Sequence, residues 1–468
     1  MKKINILKMI IFIFIILVPI VTFNLKKDVV SEIDNRKLMN IEDIFTSDDL
    51  TDGIQSFIDD RIGLRNSMVS IYNRSMDVLF DEMVHPSYQY GEDGYVFFKV
   101  SENNFDQEFQ EIYSSFIKDF QDYCESRGIG FLYTFEPSKA TVYEEYLPKG
   151  YNYNNENLSY FISLLEEKSV NYLDNSEILI NAKKDIQVFD QKYDAGHWNE
   201  TGASIGISAM LDRLNELDNR VGSLDINNFE KVSFINETLP TSYFYINEET
   251  THYNLINNNS IEINDLESEV YRDSNFRYFT NYKNENNEDG PRLLIFAGSY
   301  FNGKEKFLTE NFSEVIKIHN YRNVIDYEYY INLFNPDLIL FESTEYTHSD
   351  YYFPRDMMSS KISNKNIDSY IDLLEDSFVE IENTPLEKSD TNITNITNFS
   401  IPIESKDLLY AYANIDNRIL DCKISKSENQ DYIEFSIMNS DLENVDSIDL
   451  YFISKDEERY QKTEIYLD

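Results

Sequence analysis

Cysteine, histidine and tryptophan are scarce in this chain, and their scarcity excludes several classes of site. The 468 residues include two Cys, five His and one Trp. Cys124 and Cys422 form neither a Cys-x-x-Cys pair nor a disulfide framework, and the scattered His follow no zinc-binding pattern. Rossmann GxGxxG, Walker A and HExxH motifs are also missing. We therefore expect no cofactor and no metal centre.

Basic residues are few relative to acidic ones. The chain has 41 Lys and Arg against 84 Asp and Glu, a formal net charge of −43. Proteins that bind nucleic acid carry basic surfaces, so we expect no nucleic-acid partner. No EF-hand calcium loop is present, and the acidic residues are dispersed, which is typical of a solvated surface. The chain is long enough for two or three domains, and 42% of its residues are hydrophobic and can build their cores.

An apolar run near the N-terminus indicates a membrane segment. The run extends from Met9 to Phe23, with three Lys before it and two after it. Together with Ile4–Leu7 and Leu25 it approaches the length that a bilayer requires. No small-x-small cleavage site and no lipobox cysteine follow. We predict that residues 1–27 form an uncleaved single-pass signal-anchor in the cell membrane, with the bulk of the chain extracellular. A cleaved signal and a secreted chain are the alternative.

Helical and strand-like segments alternate through most of the chain, which is typical of an α/β domain with a mainly parallel sheet covered by helices. This domain is predicted to span residues 28–385. Its predicted helices are Phe105–Ser126, Leu158–Lys168, Thr201–Leu217 and Val324–Phe334, after a helical stretch at Ile54–Leu79. Its predicted strands are Ile129–Phe135, Val170–Leu173, Arg292–Ala297, Val315–His319 and Leu338–Phe341.

Two regions depart from that alternation. Residues 228–290 contain short strand-like runs separated by Asn-rich turns, which predicts a β-rich insertion. The segment Thr391–Asn398 repeats Asn, Ile and Thr and is interpreted as a low-complexity linker. After it, residues 400–468 contain stretches of period-two hydrophobicity, so we expect a small all-β accessory domain.

The first segment that could carry catalytic chemistry is Tyr193–Gly202. It places Asp194 three residues before His197 in a Gly-containing loop that leads into a helix. The carboxylate can accept one imidazole N–H, which fixes the tautomer and leaves the other nitrogen to act as a base. Trp198, the single Trp, follows directly and could form a wall of the site. A capping loop with a surface His is the alternative interpretation, because Asp-x-x-His often occurs by chance.

The second segment is Leu293–Asn302, in which an apolar strand ends in Gly298-Ser299. A Ser at the carboxyl end of a buried strand lies where α/β folds place their active sites. A tight turn exposes its hydroxyl and leaves backbone N–H groups that can hold an oxyanion. Helical sequence is predicted to follow over Lys304–Asn311. An ordinary turn without a function is the alternative.

Taken together, the two segments resemble the pattern of SGNH hydrolases. The Asp-x-x-His segment here precedes the Ser segment, and this permuted order is similar to the DHHW family and the related alginate O-acetylation proteins. The similarity covers about residues 45–360. It also rests on Phe57–Arg65, Gly91–Phe97, Pro137–Tyr143, Tyr146–Pro148 and Asn335–Leu340. Two residues separate Asp194 from His197 where that family has one, and the Arg that the family carries after the late strand is absent from Phe341–Tyr346.

The resemblance implies a three-layer SGNH hydrolase-like domain with Ser299 as nucleophile, His197 as base and Asp194 as the residue that orients it. Gly298, Asn302 and Trp198 are the candidates for oxyanion or substrate contacts. The implied function is extracytoplasmic acyl transfer, either O-acetylation or deacetylation of a cell-surface polysaccharide. The implied partners are that polysaccharide and a membrane-bound O-acyltransferase.

Two other functions remain open at this point. One is a non-catalytic carbohydrate-binding or scaffold subunit of a membrane O-acyltransferase complex, because a fold does not fix a function. The other is D-alanyl transfer onto teichoic acid, which the strong negative charge disfavours. His348 is the main rival for the base. Convergence of Asp194, His197 and Ser299 to hydrogen-bonding distances would favour the enzyme.

Overall fold

The computed structural model of the protein describes residues 2–31, 36–46, 49–85, 87–99, 105–151, 153–240, 244–263, 266, 270, 278–361, 379–380, 395–403, 408–416, 418–426, 431–443, 445–454 and 461–466. The N-terminal elements are helix α1 (Lys2–Val21), the short strands β1 (Val30–Ser31) and β2 (Arg36–Lys37), and helices α2 (Leu50–Arg61) and α3 (Arg65–Phe80). The single helical stretch expected over Ile54–Leu79 is thus two helices. They break where Leu64 adopts a left-handed conformation with φ 59°.

Helix α1 is long and apolar enough to cross a membrane. Its segment Ile4–Val21 has a mean hydropathy of 2.8, and none of it is buried against the rest of the chain. Helices of soluble proteins that are this apolar are normally buried, so a free apolar helix requires another apolar environment. A membrane anchor and a signal sequence both satisfy this requirement.

The α/β region begins with the strand pair β3 (Tyr88–Tyr90) and β4 (Val96–Phe98). In chain order it continues with α4 (Gln107–Glu125), β5 (Gly130–Glu136), α5 (Lys139–Val142), α6 (Glu156–Glu167), β6 (Tyr172–Asp174), α7 (Ser176–Ala182), α8 (Glu200–Leu217), β7 (Phe229–Thr238), β8 (Tyr245–Leu255), β9 (Ser260–Glu262), β10 (Phe279–Asn284), β11 (Arg292–Ala297), β12 (Glu314–His319), α9 (Tyr327–Phe334), β13 (Leu338–Thr344) and α10 (Arg355–Ser359).

The central sheet has the strand order β6-β5-β13-β11-β12-β10-β9 within the described ranges. The five strands from β6 to β12 are parallel, and β10 and β9 add to one edge in the antiparallel sense. These two edge strands come from the region expected to form an insertion. Among the strands described in that region, the hairpin β7–β8 lies outside the central sheet.

Side chains on the two faces of the sheet enter two separate cores. Leu294 and Phe296 of β11 pack with the aromatic-rich face of α4 and α9, whereas Leu293 and Ile295 pack with α8. All four are fully buried. A strand buried on both faces reads as a continuous apolar run, which is why β11 was recognisable from sequence. The helix–sheet–helix arrangement brings the carboxyl ends of β5, β11 and β13 to one edge.

The C-terminal part consists of strands only, apart from one short 3-10 turn, among the residues described there. They are β14 (Val379–Glu380), β15 (Ile396–Ile403), β16 (Leu408–Ile415), β17 (Arg418–Asp421), β18 (Lys423–Lys426), β19 (Asp431–Met438), β20 (Ser447–Ser454) and β21 (Gln461–Tyr466). A five-stranded and a three-stranded sheet share one apolar core. Residues 391–394 of the expected linker lie outside the described residues, and its last three residues already belong to β15.

Candidate active site

Ser299 follows Gly298 just beyond the end of β11, at the edge where the parallel strands end. The chain turns there through a short 3-10 helix, Ser299–Phe301. The backbone N–H groups of Ser299 and Tyr300 have no hydrogen-bond acceptor in the described part of the chain. A turn of this kind presents the hydroxyl to the outside and leaves free donors beside it.

The structure brings the three residues expected to act together into one hydrogen-bonded series. His197 Nδ1 lies 2.6 Å from Asp194 Oδ1, and His197 Nε2 lies 2.8 Å from Ser299 Oγ. The two ring nitrogens therefore contact one partner each. With Asp194 accepting the Nδ1 proton, Nε2 is left to accept the proton of the Ser299 hydroxyl.

Asp194 is held as an anion by its surroundings. Burial alone would raise its pKa, but the charge and hydrogen bond of His197 and the N–H of Gly196 lower it below its ordinary value. The residue has φ 47°, a left-handed conformation that is uncommon outside Gly. Short polar side chains tolerate it best, because they can bond to nearby backbone N–H groups.

The loop before Asp194 is fixed by two residues, Glu248 and Lys139, to which the sequence analysis assigned no role. Glu248 of β8 accepts the backbone N–H groups of three successive residues, Gln191, Lys192 and Tyr193. Lys139, at the start of α5, donates to the carbonyl oxygens of Val96 and Gln191 at 2.7 and 2.9 Å. Burial lowers the pKa of Lys139 to about 7. The hairpin β7–β8 thus supports the site from more than fifty residues away.

Gly298 does not have the role expected for it. Its backbone N–H donates to Oε2 of Glu342 at 2.7 Å, so it is not available to an oxyanion. Glu342, in β13, is fully buried and also accepts the Thr344 hydroxyl through Oε1 at 2.9 Å. Burial raises the pKa of Glu342 to about 7, against the opposing effect of these donors. The buried Glu342 carboxyl group therefore fixes the serine turn through the backbone N–H of Gly298.

Asn302 is exposed, and its amide is oriented by a buried cation. Lys317 Nζ donates to Asn302 Oδ1 at 2.8 Å and pairs with Glu305 Oε1 at 3.0 Å. Lys317 and Glu305 are both buried. Because the amide oxygen faces the ammonium group, the amide nitrogen remains as the side chain's free donor. This arrangement suits a residue that must donate rather than accept.

Trp198 is not the exposed wall of the site that was expected. It is 2% exposed, and its indole N–H donates to the Tyr300 carbonyl at 2.9 Å. Its ring approaches the rings of Tyr300 and Phe301 and lies against Gly206 of α8. With its one polar atom engaged and its ring buried, Trp198 joins α8 to the serine turn instead of contacting a substrate.

Tyr346 is a neighbour of the nucleophile that sequence reasoning missed. Its hydroxyl lies 3.5 Å from Ser299 Oγ, and its side chain is 40% exposed. It follows β13, in the segment that lacks the expected Arg. The only available signal was its position after a strand parallel to β11, since the ends of such strands meet at one edge.

His348, the rival base, lies half-buried among aromatic rings on the other side of the sheet. It contacts Ser343 Oγ through Nε2 at 3.0 Å and Gln110 Oε1 through Nδ1 at 3.2 Å. Burial lowers its pKa to about 3. No group of His, Cys, Asp or Glu suited to a metal ion occurs in the described ranges, and Cys124 and Cys422 are both free.

Comparison with known proteins identifies a related domain. A family model described as the SGNH hydrolase-like domain of the acetyltransferase AlgX matches residues 89–238. The matched region contains Asp194 and His197 and ends before Ser299. The chain therefore contains a region similar to SGNH hydrolase-like domains of the AlgX type. The resemblance to the DHHW family remains a prediction, and no curated protein matches the chain.

Several solved structures are similar to this chain. Bacillus cereus PatB1 is 16% identical with a TM-score of 0.45, covering 58% of this chain and 98% of that one. The O-acetyltransferase domain of Pseudomonas putida AlgJ is 15% identical with a TM-score of 0.42, covering 59% and 100%. Pseudomonas aeruginosa AlgX is 13% identical with a TM-score of 0.39, covering 82% and 95%.

Proposed function

We propose that this protein transfers an acyl group, most simply acetyl, to or from hydroxyl groups of a cell-surface polysaccharide by covalent catalysis at Ser299. The observation that carries the proposal is the hydrogen-bonded series Asp194–His197–Ser299, with contacts of 2.6 and 2.8 Å. Such contacts are the signature of an activated nucleophile. The match of residues 89–238 to an acetyltransferase-type domain supports acetyl as the group. The resemblance to the alginate O-acetylation proteins supports polysaccharide as the substrate class.

In the proposed reaction, Ser299 Oγ attacks the carbonyl carbon of the acyl donor while His197 Nε2 takes its proton. The carbonyl electron pair moves onto oxygen, and the N–H groups of Ser299 and Tyr300 with the Asn302 amide can stabilise that charge. The intermediate collapses when the leaving oxygen takes the proton from His197, which leaves acyl-Ser299. An acceptor hydroxyl or water then repeats the two steps on the acyl-Ser299 ester, and Ser299 regains its proton.

The same geometry argues against a scaffold without catalytic function. Asp194 and His197 lie on one loop, whereas Ser299 lies 102 residues beyond His197, and a binding protein has no need to align these two segments. We further propose that α1 anchors the enzyme with its catalytic domain outside the cytoplasm. A membrane-bound O-acyltransferase that supplies the acyl donor is the proposed partner.

Labelling with a sulfonyl fluoride probe tests the nucleophile. Wild type should be labelled covalently, and Ser299→Ala should not be. Ser343→Ala is the matched control, because Ser343 also contacts a His Nε2, at 3.0 Å, but inside the core. Loss of labelling in Ser299→Ala alone supports the proposal. Equal labelling of wild type and Ser299→Ala, or no labelling of wild type, would overturn it.

Transfer itself is measured with an activated acetyl ester and an oligosaccharide acceptor. Removing one member of a catalytic triad commonly lowers kcat by several orders of magnitude, so His197→Ala should lose nearly all transfer. If Ser299→Ala and His197→Ala both transferred acetyl at the wild-type rate, the assigned site would be wrong.

A further inference from the structure

Helix α3 carries an apolar face that the described part of the protein leaves uncovered. Six residues at helical spacing, counting the one that precedes the helix, lie within an arc of about 120° when each residue turns about 100°. They are between 40% and 72% exposed: Leu64, Met68, Ile71, Tyr72, Val78 and Leu79. These residues are called the α3 apolar face. A continuous exposed apolar face of six residues is unusual on the surface of a soluble protein and marks a site of interaction.

The charged residues of α3 are arranged asymmetrically around that face. Arg74 is exposed beyond one edge, whereas Arg65, beyond the other edge, is half-buried and its Nη1 is enclosed by the protein. The acidic Asp77 is turned toward the protein, where it accepts the Tyr90 hydroxyl at 2.6 Å. Apolar residues bordered by Arg, with the acidic residue directed away, are typical of helices that lie in a membrane interface.

The apolar face begins where the apolar helix α1 ends. The Gly63 N–H donates to the Pro19 carbonyl at 2.9 Å, and the Asn24 N–H donates to the Arg61 carbonyl at 2.8 Å. A Cβ on Gly63 would lie only 1.9 Å from the Thr22 hydroxyl oxygen, so Gly is required for this approach. The corner between α2 and α3 is therefore fixed at the end of α1, one residue before Leu64.

We infer that α3 lies in the surface of a phospholipid bilayer, with the α3 apolar face at the boundary between headgroups and acyl chains. The bilayer is the one in which α1 is anchored, so the inference rests on the proposed anchor and not on the proposed chemistry. At about 1.5 Å per residue, α3 would extend about 24 Å along the surface. Arg74 would reach lipid phosphates, which gives the negatively charged chain a local cationic contact with the membrane.

A second copy of the chain fits this face less well. Two copies joined antiparallel through the α3 apolar face would place the two edges that carry Arg74 side by side, which brings like charges together. Lipid phosphates instead neutralise this edge. The bilayer therefore satisfies both the apolar residues and Arg74.

Depth measurement on the full chain tests the inference. The protein is reconstituted at one copy per nanodisc of phosphatidylcholine and phosphatidylglycerol, in a Cys422→Ser background that leaves Cys124 buried. Single Cys residues are introduced by Ile71→Cys and Val78→Cys on the apolar face. Asn66→Cys, exposed on the opposite side of α3, is the matched control, and Phe14→Cys reports on α1. Each is labelled with an environment-sensitive fluorophore and quenched by nitroxide lipid or by aqueous iodide.

The expected result is that nitroxide lipid quenches the labels at positions 71 and 78 several times more strongly than the label at 66, and that iodide shows the reverse order. Equal iodide quenching at 71, 78 and 66, with the label at 14 in lipid, would overturn the inference while leaving the anchor intact. If the labels at positions 71 and 78 were protected from iodide only in discs that hold two copies, the inference would be overturned in favour of a dimer. A label at 14 that iodide reaches would remove the anchor and the inference together.

Discussion

Asp194 combines a left-handed backbone with a carboxylate that contacts a ring nitrogen of His197. Asp194→Asn would keep the size of the side chain but remove the negative charge and let His197 adopt the other tautomer. Loss of the correct tautomer costs about 10⁴ in kcat in triad enzymes, so we expect a fall of about that size, with little change in thermal stability. Asp190→Asn is the control, because Asp190 contacts Asn199 and not His197. Wild-type kcat in Asp194→Asn would contradict the assignment.

The proposed role of Asn302 as an oxyanion donor depends on Lys317, which orients its amide. Asn302→Ala should lower kcat by about 10² to 10³, the usual effect of removing one oxyanion donor, without raising KM. Lys317→Met combined with Glu305→Leu removes the buried pair without leaving an uncompensated charge, and it should lower kcat less. The triple variant with Asn302→Ala should lose no more kcat in total than Asn302→Ala alone, because the pair and Asn302 act through one amide. Fully additive losses in kcat would show that Lys317 and Asn302 act independently.

Glu342 connects the serine turn to the pH dependence of stability. Its folded-state pKa of about 7 lies above the ordinary value of 4.5, so its stabilising contribution is complete below pH 4.5 and lost as pH rises to about 7. Relative to Glu342→Gln, the free energy of unfolding of wild type should fall by about 3 kcal/mol across this window. Urea unfolding at pH 4.5, 6 and 8 measures the difference. A constant difference between the two proteins would contradict the buried position of Glu342.

At the scale of elements, bounded apolar runs were predicted well and contacts between distant segments were not. The strand Arg292–Ala297 has the same bounds in the structure, because a continuous apolar run ends there at Gly298. The helical sequence expected over Lys304–Asn311 instead forms two short 3-10 helices. The three residues proposed as a triad were found from strand and loop signals. Glu248 and Lys139 were missed because their partners are local only in the folded chain.

Helix α8 and the serine turn are coupled through one glycine. A Cβ on Gly206 would lie 2.5 Å from the Trp198 ring, and Trp198 holds the Tyr300 carbonyl. Gly206→Ala gains about 1 kcal/mol in helix propensity but costs about 1 to 3 kcal/mol by overpacking. We therefore expect no net stabilisation in urea unfolding and slower labelling of Ser299. Asp212→Ala, on the exposed side of α8, is the control and should leave the labelling rate unchanged. Faster or unchanged labelling of Gly206→Ala would contradict the coupling.

At the scale of the whole molecule, the C-terminal strands are joined to the α/β region through a polar contact. Asp421 of β17 accepts from Arg127 Nη2 at 2.5 Å and Nε at 3.1 Å, and from the Tyr123 hydroxyl. Its backbone N–H and carbonyl both bond to the Asn332 amide of α9. The side chains of Arg127 and Asp421 are only 9% and 14% exposed. A single residue thus connects β17 to both α4 and α9.

Asp421→Ala should separate the stabilities of the two regions. It leaves the Arg127 guanidinium without its carboxylate in a buried contact, a change that costs about 3 to 5 kcal/mol. We expect an earlier urea transition and rapid proteolysis within residues 395–466, while the α/β region remains intact. Asp449→Ala is the matched control, because Asp449 pairs with Lys462 on the surface of the same strands and should cost at most about 1 kcal/mol. If Asp421→Ala and Asp449→Ala unfolded at the same urea concentration, the connection through Asp421 would contribute no more than an ordinary surface pair. The two regions would then depend on their apolar contacts and on the hydrogen bond from Arg418 to the Asn332 carbonyl.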